Sequence, residues 1–143
     1  MRGFTLVELV MVMVIIGILA VVVGPRFFNR QVFNERLFYE EALAAVRYGQ
    51  KLAVASGCQI QASLDGSGYR LRRANNCTNG AYGAEVQGPD GQTPFAATLP
   101  NGVSVSASTF PVVFDSRGRP SAAVSAAIGA FTIRVTADTG LVQ

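Results

Sequence analysis

The sequence contains no histidine and no tryptophan among its 143 residues, and only two cysteines, Cys58 and Cys77. Without histidine the commonest general base and metal ligand are gone. No Ser-Lys or cysteine-based pair takes its place, so the chain is not expected to be an enzyme. Two thiols without an imidazole make a poor metal cage, and no cofactor is implied. Gly66-Ser67-Gly68 lacks the spacing of a phosphate-binding loop and reads as a turn. Charge is also sparse: 12 Lys and Arg against 9 Asp and Glu give a net +3. That excess is too mild to imply nucleic acid from bulk charge alone.

What the chain does have is a long apolar start. From Leu9 to Val23 every residue is apolar or glycine, and Glu8 is the only charge between Phe4 and Gly24. Residues 4–24 as one helix would rise about 31 Å, enough for a bilayer core. A secretory signal peptide would have a shorter run followed by a small-residue cleavage site, and no such site follows here. A carboxylate in hydrocarbon costs roughly 2.5–3.5 kcal/mol, so Glu8 needs a partner. No basic residue lies within one turn of it, and the partner must come from elsewhere.

The order Gly3-Phe4-Thr5-Leu6-Val7-Glu8 at the head of this run resembles the prepilin signature of type IV pilins and type II secretion pseudopilins. The resemblance implies cleavage by prepilin peptidase after Gly3 and N-methylation of Phe4, which leaves the apolar helix in the mature protein. It also implies that Glu8 sets subunit registry by meeting the amino terminus of a neighbouring subunit. Gly17 and Pro25 fall where helices of that family loosen or bend. The leader Met1-Arg2-Gly3 is shorter than usual, which implies a start further upstream or a peptidase that accepts one arginine.

Beyond Pro25, charged and amide residues alternate with Phe28, Val32, Phe33, Leu37 and Phe38 at helical spacing. Proline kinks a helix rather than always ending it, so the helix is expected to resume. One face would then be apolar and would pack against other copies or relatives; the alternative is that the C-terminal domain folds back over it. Ala42, Ala45, Gly49 and Ala53 form a small-residue stripe that lets a sheet come close, with Leu43, Val46 and Leu52 filling the contact. The helix should end near Ala55, with Ser56-Gly57 as its stop.

Alternation predicts strands over 58–64 and 69–72, around 84–86, at 103–107, 111–114 and 131–136, and briefly at 141–142. All connections are short enough for antiparallel pairing. Folding the first hairpin about Gly66-Ser67 sets Leu64 opposite Tyr69 and Cys58 near Asn75. An irregularity at Asn75-Asn76 would bring Cys77 into reach, and a Cys58–Cys77 disulfide is expected. Tyr69, Tyr82, Phe95 and Phe110 would serve either a partner surface or the core, and core is the commoner role. The expected fold is α+β, pilin-like: a long N-terminal α-helix, transmembrane in its first half, packed on a small antiparallel β-sheet domain. The divisions are a leader at 1–3, a transmembrane and filament-core helix at 4–25, an amphipathic continuation at 26–55 and a globular head at 56–143.

Further segments resemble the GspH/FimT-type minor pilins and pseudopilins: Ala44-Ala45-Val46-Arg47-Tyr48, Ala53-Val54-Ala55-Ser56-Gly57-Cys58, Val113-Phe114-Asp115-Ser116-Arg117-Gly118-Arg119-Pro120, and Ile133-Arg134-Val135 with Thr139-Gly140-Leu141-Val142. With Pro25-Arg26-Phe27-Phe28 they look most similar to minor pilins of the mannose-sensitive haemagglutinin (MSHA) pilus. That implies an inner-membrane, single-pass protein with a periplasmic head, later part of a surface pilus. Its partners would be other pilin subunits, the prepilin peptidase, the pilus assembly platform and a tip adhesin. A type II secretion pseudopilin is the alternative. A DNA-uptake pilin is a second one, with Arg70, Arg72 and Arg73 joined across the sheet by Arg117, Arg119 and Arg134; a solvated sheet face is the stronger reading, and nucleic acid is not expected.

Overall fold

A computed structural model describes residues 3–23 and 30–143. These fall into two compact units, Met1–Arg30 and Gln31–Gln143. The first is helix α1, Leu6–Val23, apolar on all sides. The helix runs through Gly17 without interruption, while Pro25 and Phe28 lie outside the described residues. Among the described residues no helix is long and apolar enough to cross a membrane. The 18 residues of α1 rise about 27 Å, against a hydrocarbon core of about 30 Å. The 31 Å expected from sequence counted Phe4 and Thr5, which precede the helix, and Gly24, which is not described.

The second unit begins with α2, Arg30–Ser56, which ends where expected: Gly57 follows at φ 68°, the left-handed backbone of a helix C-cap. Whether α1 and α2 form one rod depends on residues 24–29, outside the described set. The small-residue stripe is buried as predicted, with Ala42, Ala45, Gly49 and Ala53 all facing the core. A Cβ on Gly49 would stand 3.0 Å from Leu71 Cδ2 and 3.5 Å from Ile60 Cγ2. A larger residue there would require the Leu71 side chain to give way by a few tenths of an ångström.

The sheet that α2 covers has the order β3-β2-β1-β6, with β4 also on β2. β1 (Ile60–Asp65) and β2 (Gly68–Arg73) form the hairpin in the predicted register, Leu64 opposite Tyr69 and Ile60 opposite Arg73. Ile60, Ala62, Leu64, Tyr69 and Leu71 point inward, as alternation required. β3 (Ala84–Glu85) and β4 (Ala96–Thr98) share the outer edge of β2, and β6 (Val112–Phe114) flanks β1. All these pairs are antiparallel.

A separate three-stranded sheet, β5-β7-β8, completes the antiparallel β domain. Its strands are β5 (Val105–Ser106), β7 (Val124–Ile128) and β8 (Phe131–Val135). β5 is shorter than the alternation at 103–107 predicted, while β4 and central β7 lie where no strand is expected from the sequence. Both are alanine-rich, and alanine has little strand preference of its own. In β7, Val124, Ala126 and Ile128 are nevertheless buried. The last residues bridge to β8 through Val135 and Val142.

The Cys58–Cys77 disulfide is present, closing a separation of 19 residues. The irregularity that brings Cys77 back is a tight turn: the Cys77 amide donates to the Ala74 carbonyl, and Cys77 sits at φ 67°. The Gln59 amide donates in turn to the Cys77 carbonyl. Phe38, grouped by sequence with the exposed apolar face, is buried and lies 6.0 Å from the Tyr69 ring. Phe95 continues that aromatic line to Tyr48, ring centroids 5.2 Å apart.

Two variants test this packing by denaturant unfolding of the full chain in detergent. Gly49→Val should destabilise by about 1–3 kcal/mol, the usual cost of overpacking. Replacing both cysteines by serine should lower stability by about 3 kcal/mol, as expected for a loop of this size.

Candidate processing and assembly segment

Gly3 and Phe4 lie in a non-helical, exposed lead-in to α1, with Phe4 80% accessible. A peptidase can reach an exposed, non-helical peptide bond of this kind without unwinding a helix. Thr5 then starts α1. Its carbonyl accepts from the amides of Glu8 (3.1 Å) and Leu9 (3.2 Å), and its Oγ1 accepts from the Glu8 amide at 3.3 Å. Thr5-Leu6-Val7-Glu8 is thus a capping box in sequence, with the threonine half formed. Sequence reading singled out Glu8 and passed over Thr5, although the T-x-x-E spacing was the signal that identifies it.

The Glu8 carboxylate makes no hydrogen bond or ion pair among the described residues. Its place in the first turn of α1 favours a negative charge electrostatically. That local benefit leaves its charge available to a cation from outside the segment. Every described side chain from Phe4 to Val21 is exposed. At Gly17 an added Cβ would meet nothing within 4 Å, so the surface there is open to close approach by a neighbour.

Residues 1–24 match the family model described as the prokaryotic N-terminal methylation motif. The chain carries a type IV pilin-like prepilin signal. The motif marks a pilin-like or pseudopilin precursor, processed by prepilin peptidase and assembled with other pilin-like subunits. It accounts for the start of the chain and leaves the head unmatched: no curated protein and no solved structure matches this sequence.

Downstream of the signal, the segments singled out in the head converge on α2. Gln50 Nε2 donates to the carbonyls of Gly118 and Gly140, both at 2.9 Å. One turn earlier, Arg47 donates through Nε and Nη2 to the Val142 carbonyl at 3.1 and 3.0 Å. The Asp115–Pro120 turn and the Thr139–Val142 tail are therefore tied to the helix by Gln50 and by Arg47, the latter within the Ala44–Tyr48 segment. Inside that turn Asp115 Oδ1 accepts from the amides of Arg117 and Arg119, each at 2.8 Å. The Arg119 amide, foremost, holds the Asp115 carboxyl below its ordinary 3.8; the Arg117 amide and both guanidinium charges add to this, and desolvation opposes it.

The arginines are divided among β2, the Asp115–Pro120 turn and β8. Arg70 pairs with Glu85 at 3.4 Å. Arg134 stands on β8, in the other sheet, so the expected join across one sheet is not made. Three of the four aromatics belong to the core: Tyr69 is buried in it, and Phe95 and Phe110 are partly buried against that cluster. Tyr82 is half-buried, its hydroxyl on Gln59 Oε1 at 3.0 Å.

A depressed carboxyl stabilises the fold above its unfolded value and loses that contribution as pH falls through the folded one. Asp115→Ala should therefore lower the melting temperature at pH 7. Thermal scans at decreasing pH should show the gap to the parent chain closing below about pH 3.8.

Proposed function

We propose that this chain is a minor pilin of a type IV pilus of MSHA type, cleaved after Gly3, N-methylated on Phe4 and entering the filament through α1. The observation that carries the reading is α1 itself, apolar on every side with its described side chains exposed and one unpartnered carboxylate in its first turn. A helix of this kind is stable only inside lipid or among other helices. The inner membrane would hold it first, with the head in the periplasm, and neighbouring subunits would replace the lipid on assembly. A helix slightly shorter than the bilayer core is accommodated by local thinning at modest cost.

Glu8 supplies the registry. Cleavage after Gly3 creates an ammonium on Phe4, and an unpaired Glu8 in hydrocarbon is costly. Assembly is then drawn to the axial offset at which the Phe4 ammonium of one subunit meets Glu8 of the next. Prepilin peptidase, the assembly platform and a tip adhesin are the further partners. The proposal includes no enzymatic role, since the sequence has no histidine to serve as general base and no Ser-Lys or cysteine-based pair stands out in it. A type II secretion pseudopilin shares every one of these features except the destination of the filament.

Intact mass and N-terminal sequencing of protein from sheared surface filaments and from the inner membrane test the reading. A chain beginning at N-methylated Phe4 in sheared filaments is expected. Processed protein confined to the membrane would instead favour the secretion pseudopilus, and an unprocessed chain beginning at Met1 in both fractions would overturn the proposal. Glu8→Gln separates charge from capping, because glutamine also serves a capping box. It should be cleaved normally yet fail to enter filaments; incorporation at the parent level would refute the registry role.

A further inference from the structure

Among the described residues a single enclosed side-chain nitrogen or oxygen has no hydrogen-bond partner, the Nε of Arg72. Arg72 stands in β2 beside inward-pointing Leu71, so its side chain lies on the face of the five-stranded sheet turned away from α2. Its neighbours across that face are Gln61 on β1 and Glu85 on β3. Arg70 shares the face two residues earlier, opposite Ser63. Glu85 is engaged there: its Oε1 meets Arg70 Nη1 at 3.4 Å. The Ser63 hydroxyl donates to the Arg70 carbonyl. That leaves the Gln61 amide and the Nη1 and Nη2 of Arg72 without a hydrogen bond or ion pair among the described residues, both Nη atoms open to solvent. Arg73, opposite Ile60, belongs to the other face.

An enclosed Nε has given up water without gaining a partner. The same enclosure restrains a long side chain, so less freedom is lost when a ligand arrives. What it presents is the planar Nη fork, whose two parallel donors match the two oxygens of a carboxylate. Charge selects among anions. Glu85 offsets one of the two guanidinium groups, and the face keeps a single net positive charge, which suits a monoanion. A phosphate dianion would be one cation short, and a nucleic-acid backbone needs several free cations in a row. Beside the fork, the Gln61 amide can both donate and accept, as a hydroxyl requires. We propose that Arg72 and Gln61 form a binding site for a hydroxylated organic acid of the uronate class, the carboxylate on the Arg72 fork and a hydroxyl on Gln61. An open face of this kind gives a Kd on the order of 1 mM. The site belongs to the head alone and is independent of which filament the chain enters.

Nuclear magnetic resonance of the isotopically labelled full chain in uncharged detergent tests the site through the Arg72 Nε–H and Gln61 side-chain amide signals. Glucuronate should shift both saturably; glucose should shift neither, and acetate and inorganic phosphate should bind more weakly. Arg72→Lys keeps the charge and loses the fork, and should weaken glucuronate binding about tenfold. The backbone signals of buried Ile60 and Leu71 report that the variant is folded. Glu85→Gln frees Arg70 and should both strengthen glucuronate binding and admit phosphate. The absence of a saturable shift with glucuronate would overturn the proposal. So would glucose shifting the same signals, which removes the carboxylate from recognition, or acetate matching glucuronate, which removes the hydroxyl. Phosphate binding the parent chain as well as glucuronate, or undiminished binding by folded Arg72→Lys, would reduce the site to unspecific charge attraction and overturn it equally.

Discussion

The close approach of α2 to the five-stranded sheet is the constraint on which the head depends. Gly49 lies at its centre, where an added Cβ would press on the Leu71 side chain, and the alanines continue the same stripe. At this separation Ile60, Leu64 and Leu71 are fully enclosed without a large helix residue opposite each of them. Phe38 and Val46, both fully buried, add bulk to the same core. A domain of this size has little surplus core, so density at one interface matters more than the number of apolar residues.

With the helix held that near, its polar side chains become structural. Gln50 and Arg47 reach loop carbonyls that would otherwise have only water as a partner. Two distant segments, the turn after β6 and the final residues, are thereby fixed to one helical turn. Glycine is needed at both ends of the Gln50 clasp: Gly118 and Gly140 have φ of 76° and 66°, and side chains there would also meet Val54 or Gln50. The disulfide does related work at the opposite end of the hairpin, holding the 74–77 turn beside the start of β1.

The two units solve opposite problems. The head buries its apolar residues within itself, whereas α1 has nothing of its own to bury them against and must find lipid or neighbours. The exposed face of α2 stands between these cases, apolar at its start, where Val32, Phe33 and Leu37 lie open, and charged beyond. This gradient gives the reading of an assembling subunit a physical basis that the motif at residues 1–24 does not supply by itself.

The sequence alone determined whatever local periodicity and chemistry encode. The prepilin signal, the α2 small-residue stripe, the stop at Gly57, the β1–β2 register and the cysteine pair were all legible, because each follows from spacing within one or two adjacent elements. Thr5 was legible too, and was overlooked beside the more conspicuous Glu8. Tertiary structure decided what depends on distant neighbours. Val124–Ile128 is a central strand because β5 and β8 flank it, and its alanines carry no signal of that. Ala96–Thr98 pairs only because β2 offers an open edge. Phe38 and Phe33 look alike in sequence, yet one is enclosed and the other bare, since burial depends on where the sheets lie. Gln50 and Arg47 acquire their roles from carbonyls 68 to 95 residues away, a distance over which local pattern holds no information.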